Sequence, residues 1–169
     1  QGIIPQGRSL IVFDDVCLDN FDTRGRYLYK AENIRNSQQW NVWLHSKRPL
    51  FNKLSPSLQN NKYVVMLACH LPREDFLEYE PRVMLNKTLS VISKTLPDKQ
   101  ILVKPHFATD RVELGKIINS YKNVLITDLH PHVLTWNAIC FVCNLYSFVI
   151  ADAFQRGVMT IEFTRYKPV

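Results

Sequence analysis

The chain has 169 residues, 46% of them hydrophobic and 21% charged, with 21 basic against 15 acidic side chains and a formal net charge of +6. That length holds one domain with a real core, and the composition excludes a disordered chain. The basic residues are scattered, with no run of five or six, so the excess suits an anionic ligand and argues against a nucleic-acid tail. No apolar run is long enough to span a bilayer. The chain begins at Gln1, without Met or a signal-peptide pattern, and reads as a fragment.

Taken in order, Ser9 to Phe13 predicts a strand that stops at Asp14-Asp15. Residues 17 to 36 are polar and aromatic, with a short helix expected around Tyr27 to Ile34. Trp40 to Leu44 suits either a strand or a helical turn, because periodicity cannot separate them over so short a run. Residues 46 to 62, with Pro49, Pro56, Ser55, Ser57, Asn60 and Asn61, read as a linker or long surface loop.

From residue 62 the pattern becomes regular. Tyr63 to Ala68 predicts a buried strand and Pro81 to Leu96 a helix, with Val83, Leu85, Leu89 and Ile92 at helical spacing. Residues 100 to 104 form a second strand, ended by Pro105, which has no amide hydrogen to donate. A helix follows over 110 to 121, with Val112, Leu114, Ile117 and Ile118 turned inward and Thr109 or Asp110 as its cap. Further strands are expected at 123 to 127, 139 to 142 and 158 to 163. Between them fall a short helix opened by Pro131 and a helix over 146 to 156 closed by Gly157. This alternation predicts an α/β fold, a Rossmann-like parallel sheet with helices on both faces. The expected division is an irregular amino-terminal segment over 1–61, with one strand plus linker, and a Rossmann-like nucleotide-sugar-binding domain over 62–169.

Several small motifs invite chemistry and are outweighed. Cys140-x-x-Cys143 sits at a strand end rather than a helix start and has no second pair, so a redox or zinc role is not expected. His130-Pro131-His132 lacks a third ligand. Asn86-Lys87-Thr88 matches a glycosylation sequon but falls in an expected helix. With five glycines in the chain there is no GxGxxG and no GxxxxGK[ST], which argues against a dinucleotide fingerprint or a P-loop. No metal and no cofactor is expected.

In a parallel sheet the carboxyl ends of the strands share one rim, where α/β proteins bind ligands. The polar residues following each strand are His70 and Arg73, then Lys104 and His106, then Asp128 and His130, then Asn144, Tyr146 and Ser147, then Glu162. A phosphate needs a cation, hydrogen-bond donors and helix amides. Arg73, Lys104, His106 and Ser147 supply these, and Glu162 suits a ribose or sugar hydroxyl. Polar residues follow strands in every α/β protein, so the clustering rather than any one residue carries the expectation. Asp128 reads as a turn cap more than a base.

The run Lys104-Pro105-His106-Phe107-Ala108-Thr109-Asp110 resembles the KPHPxxD segment of bacterial capsule and surface-polysaccharide glycosyltransferases. Asn144 to Ala153, followed by Gly157 to Phe163, resembles their serine-bearing segment. Those enzymes include Kdo-transferase-like and sialyltransferase-like proteins, and the CDP-glycerol glycerophosphotransferases are similar in outline. Phe107 stands where the family has a second proline, and Ser147 where it often has two serines. The resemblance covers roughly 62 to 166 and implies one half of a two-domain GT-B enzyme, the carboxyl-terminal donor-binding domain. It implies that His106 and Ser147 contact the nucleotide phosphate or leaving group, with His106 catalytic, and that Glu162 contacts the nucleotide end. Arg73, Lys104 and Asn144 complete the expected donor site. Asp152 matches an acidic helix position of the family.

The implied partners are a nucleotide-activated sugar, CMP-linked in the first instance, a carbohydrate acceptor, and an amino-terminal domain beyond this chain. A catalytic acid is sought among Asp14, Asp15 and Asp19. The implied setting is the cytoplasm, with peripheral attachment to the inner membrane as an option. Rival expectations are a non-catalytic Rossmann-like binding module, a glycerophosphotransferase-like half and a nucleotide-sugar epimerase half.

Overall fold

Six consecutive residues with almost no solvent exposure, Tyr63–Ala68, form the strand around which the computed structural model is built. The structure describes residues 10–12, 28–30, 37–68, 77–145, 147–165 and 167. The chain divides into two units, Gln1–Arg48 and Pro49–Val169.

In the first unit β1 (Leu10–Val12) pairs in parallel with β2 (Leu28–Lys30). The helix expected around Tyr27 to Ile34 is therefore replaced at its start by a strand. Leu28 and Tyr29 favour extended backbone, and β1 supplies the ladder partner. Helix α1 (Gln38–Ser46) settles the ambiguity at Trp40 to Leu44. The Ser37 hydroxyl caps it, accepting from the Trp40 amide at 3.2 Å. Trp40 and Trp43 stack at 5.0 Å between centroids, as residues three apart on one helix face allow.

The stretch expected as a loop over 46 to 62 instead forms α2 (Arg48–Leu54) and α3 (Pro56–Gln59). Both prolines sit in a first helical turn, where the missing amide hydrogen costs nothing. Phe51 and Leu58 are buried in the sheet's core, and Phe51 meets Trp136 edge to face at 5.4 Å.

The second unit continues with β3 (Tyr63–Ala68), α4 (Pro81–Thr95), β4 (Gln100–Pro105), α5 (Arg111–Ile118) and β5 (Val124–Ile126). It ends with α6 (Pro131–Leu134), β6 (Ala138–Cys143), α7 (Phe148–Gln155) and β7 (Met159–Glu162). The sheet order is β5-β4-β3-β6-β7, every pair parallel. This is the Rossmann-like α/β fold expected from the strand–helix alternation.

Each face of the sheet has its own core. Val64, Met66, Ile101, Val103 and Val142 lie on one face with Leu85 and Leu89 of α4 and Leu114 and Ile118 of α5. Tyr63, Val65, Leu67, Leu102, Phe141 and Cys143 lie on the other with Leu134 of α6, Ala153 of α7 and the two residues from α2 and α3. β3 and β4 feed both cores alternately, which is why they read as unbroken apolar runs. Val112, expected inward, is 70% exposed. The buried set of α5 is Leu114 and Ile118, four apart, and a residue two before Leu114 points away from that stripe. Gly157 adopts φ +75° after α7, the left-handed stop expected there. Among the described residues no helix is long and apolar enough to cross a membrane.

Candidate functional site

The sheet order turns the expected rim into a geometry. Starting from β3, the chain moves outward through β4 to β5, then jumps back to β6 and on to β7. The direction reverses between β3 and β6, and a crevice opens outside the carboxyl ends at such a point. The register places Lys104 beside Leu67, Leu67 beside Cys143, and Cys143 beside Glu162. Lys104 and Glu162 are thus level on one rim, three strand spacings or roughly 14 Å apart. His106 follows β4, and Asn144 and Ser147 follow β6, so both groups lie on the same edge with the end of β3 between them.

The loop after β4 is stitched to that strand end. The His106 amide donates to the Ala68 carbonyl at 2.9 Å, and the Thr109 hydroxyl donates to the same oxygen at 3.1 Å. Within the loop, the Thr109 amide donates to the His106 carbonyl at 3.0 Å and the Ala108 amide to His106 Nδ1 at 3.3 Å. A ring nitrogen that accepts carries no proton, so this bond assigns the neutral imidazole's hydrogen to Nε2. Asp110 closes the loop as the cap of α5, its carboxylate accepting from the Val112 and Glu113 amides at 2.8 and 3.2 Å. His106 is partly buried and its ring lies 4.2 Å from that of Phe107, which is 95% exposed.

Lys104 Nζ donates to the Asp128 carbonyl at 3.2 Å. Burial pulls the Lys104 ammonium below its ordinary pKa, while the nearby Asp128 carboxylate pulls it back up and Arg111 opposes it. Arg111 holds the Asp128 carboxylate through its two terminal guanidinium nitrogens, and that pairing lowers the carboxyl's pKa. Asp128 is therefore the anionic partner of two cations at the ends of β4 and β5. Arg111 joins the cluster from α5, one residue beyond the Lys104–Asp110 run. Its only sequence signal is a position in the first turn of an expected helix.

At the end of β6 the polar groups turn inward. The Asn144 amide donates to Thr88 Oγ1 at 2.8 Å and to the Phe163 carbonyl at 2.9 Å, tying β6 to α4 and to the chain after β7. The same bond buries the hydroxyl of the Asn86-Lys87-Thr88 sequon. Ser147 caps α7, its hydroxyl accepting from the Val149 amide at 3.3 Å. Glu162 is exposed and accepts from the Thr164 hydroxyl at 3.0 Å.

Beneath this end lies a buried polar chain with no sequence signature. His132 Nε2 meets the Asp152 carboxylate at 3.1 Å, and Arg156 donates to His132 Nδ1 at 3.1 Å. His132 is 1% exposed and Asp152 7%. The three residues join α6 to two successive turns of α7, so the His-x-His motif is spent on structure. His130 caps α6 through Nδ1. Cys140 and Cys143 are both buried and belong to opposite faces of the sheet. Three residues along a strand reverse the side-chain direction, so this CxxC cannot close on one metal or one disulfide. Among the described residues there is no cluster of three metal-ligating side chains.

Arg73, His70, Tyr146, Asp14, Asp15 and Asp19 lie outside the described residues. A separate cavity of about 730 Å³ lies away from the Lys104 face, between α4 and the β6–β7 edge. It is lined by Val91, Ile92, Tyr121, Val142, Ile161 and Phe163, among others, and is apolar where the rim is polar.

No protein-family model matches the chain, and no curated protein does. Among solved structures, the chain is similar in fold to the wall teichoic acid polymerase TagF, with 19% sequence identity and a TM-score of 0.56. The likeness covers 92% of this chain and 39% of that one, so the chain spans well under half the length of the polymerase it resembles in fold.

Proposed function

We propose that this chain is the donor-binding part of a transferase that builds a surface polysaccharide or wall polymer from a nucleotide-activated unit. The observation that carries the reading is the pinned loop at the end of β4. It places Lys104 and His106 across the end of β3 from Ser147 and the start of α7, at the reversal point of a parallel sheet. The fold likeness to a wall polymer-forming enzyme agrees with it.

In this scheme the donor's phosphate sits over the end of β3. His106 Nε2 donates to a phosphate oxygen, and Lys104 offsets the negative charge that grows as the phosphate departs. The positive end of α7 and the Ser147 hydroxyl, which accepts from the Val149 amide and keeps its own O–H to donate, face the anion from the other side. Glu162 accepts from a ribose or sugar hydroxyl, and Arg73 adds a further cation. Asn144 holds the β6 end in place through Thr88 and Phe163. A hydroxyl of the acceptor, presented by polypeptide outside this unit, gives up its proton and bonds to the anomeric carbon as the bond from that carbon to the nucleotide phosphate breaks. The donor is a nucleotide-activated sugar, CMP-linked first, and the setting is the cytoplasm. A second reading, transfer of glycerol phosphate from a CDP carrier, rests on the sequence resemblance in outline to the CDP-glycerol glycerophosphotransferases.

Calorimetry with CMP, CDP, UDP, their sugars and CDP-glycerol tests this. One nucleotide series should bind clearly, and His106→Ala should abolish that binding while the melting temperature stays within a few degrees. A CMP-sugar winner supports the first donor and CDP-glycerol the second. No binding to any nucleotide would overturn the proposal in favour of a non-catalytic module. Interconversion of a UDP-sugar without acceptor would point to the epimerase half.

A further inference from the structure

Phe107 is the most exposed large hydrophobic side chain described, at 95%, and it sits in a rim loop held to the end of β3. Four hydrogen bonds fix its neighbours, two to Ala68 of the adjacent strand and two inside the loop. Its own ring meets that of His106 at 4.2 Å with a 41° tilt. An aromatic ring fully in water on a mobile tip needs no explanation. One held out from a rigid loop is different, because the loop's internal bonds do not require it and a polar residue would serve the turn as well. A pre-positioned ring also loses little conformational freedom when a ligand covers it.

We propose that Phe107 is the stacking platform for the heterocycle of the nucleotide, and so the nucleoside-binding residue of the rim; this rests on the proposed donor site. A nucleotide presents a charged phosphate and a flat ring one pentose apart. The loop presents a matching pair in adjacent residues: the His106 imidazole, with Nε2 as donor, and the open face of Phe107. Lys104 and the Arg111–Asp128 pair lie on the same side, at the ends of β4 and β5, and keep the phosphate side cationic. Stacking accepts any flat base, so Phe107 supplies affinity for the nucleoside part and leaves the choice among bases to edge contacts.

The test compares nucleotide with bare phosphate. Calorimetry measures CMP, CDP and inorganic pyrophosphate against the full chain, Phe107→Ala and Phe107→Trp. Phe107→Ala should weaken CMP and CDP on the order of tenfold, the scale of one base stacked on an aromatic side chain. Pyrophosphate binding should be unchanged, and Phe107→Trp should match or exceed the parent for CMP. Equal loss of pyrophosphate and nucleotide in Phe107→Ala, or no loss of either, would overturn the platform while leaving the donor site standing. Absence of nucleotide binding by the parent chain would overturn both. Sedimentation with vesicles of anionic phospholipid separates the other use of an exposed ring. If Phe107→Ala abolishes vesicle binding with nucleotide affinity intact, the side chain serves a membrane surface and the platform is wrong.

Discussion

The end of β4 and the end of β6 stand on the same rim, on either side of β3, and they use their polar residues in opposite ways. After β4 the loop is held to Ala68 by the His106 amide and the Thr109 hydroxyl, and within itself by His106 Nδ1 and the Asp110 cap, which leaves the Nε2 side of His106 and the ring of Phe107 outside those bonds. After β6 the side chains do the holding. Asn144 bonds to α4 and to the chain beyond β7, Ser147 caps α7, and Asp152, His132 and Arg156 bind α7 to α6. The β4 loop keeps an imidazole edge and an exposed ring for a ligand, whereas Asn144 and Asp152 beyond β6 are taken up by buried bonds. The contrast predicts that changes near β6 cost stability and changes near β4 cost binding.

The largest effect should come from the buried chain under α7. Asp152→Ala leaves the buried His132 Nε2 without its carboxylate partner, and losing a buried hydrogen bond to a charged group costs up to about 3 kcal/mol. Urea unfolding of the variant should show that loss. A change under 1 kcal/mol would mean α7 is held by its apolar contacts alone. Asn144→Ala should follow at about 2 kcal/mol, since it strands the buried Thr88 hydroxyl and the Phe163 carbonyl together. Neither loss is expected for Phe107→Ala or His106→Ala.

Gly157→Ala should cost about 1 kcal/mol. No atom lies within 4 Å of where the added methyl would stand, so the whole penalty is the left-handed backbone. Smallest is Asp128→Asn on the β4 side, where both partners are exposed and solvent screens the pair. Asp128's pKa is lowered in the folded chain, first by its bond to Arg111. Its contribution is therefore present above the ordinary carboxylate range and is lost as pH falls through the lowered value. The parent and Asp128→Asn should have closely similar denaturation midpoints near neutral pH, and any small gap between them should close below that range and in high salt.

The sheet was legible because its strands are short unbroken apolar runs and its breaks are marked by Pro97, Pro105, Pro131 and Gly157. What failed to read was local. Residues 46 to 62 carry loop composition, yet Pro49 and Pro56 each fall where a helix tolerates proline, and Phe51 and Leu58 then have a core to enter. The strand at Leu28 depends on a partner 18 residues away. The rim positions of Lys104, His106, Ser147 and Glu162 followed from strand ends alone. The sheet order did not, and neither did the pairing of His132 with Asp152, 20 residues apart on different helices. Such contacts exist only once tertiary structure brings the elements together.

The polar rim beyond β3, β4 and β6 and the apolar cavity between α4 and the β6–β7 edge are alternative places for a ligand. Amide chemical-shift mapping of the full chain during a titration with the nucleotide that binds best distinguishes them in one experiment. The account predicts saturable shifts at Lys104, His106, Phe107 and Ser147, with Val91, Ile92 and Ile161 unmoved. Shifts centred on Val91, Tyr121 and Ile161, with the 104–107 amides silent, would contradict it.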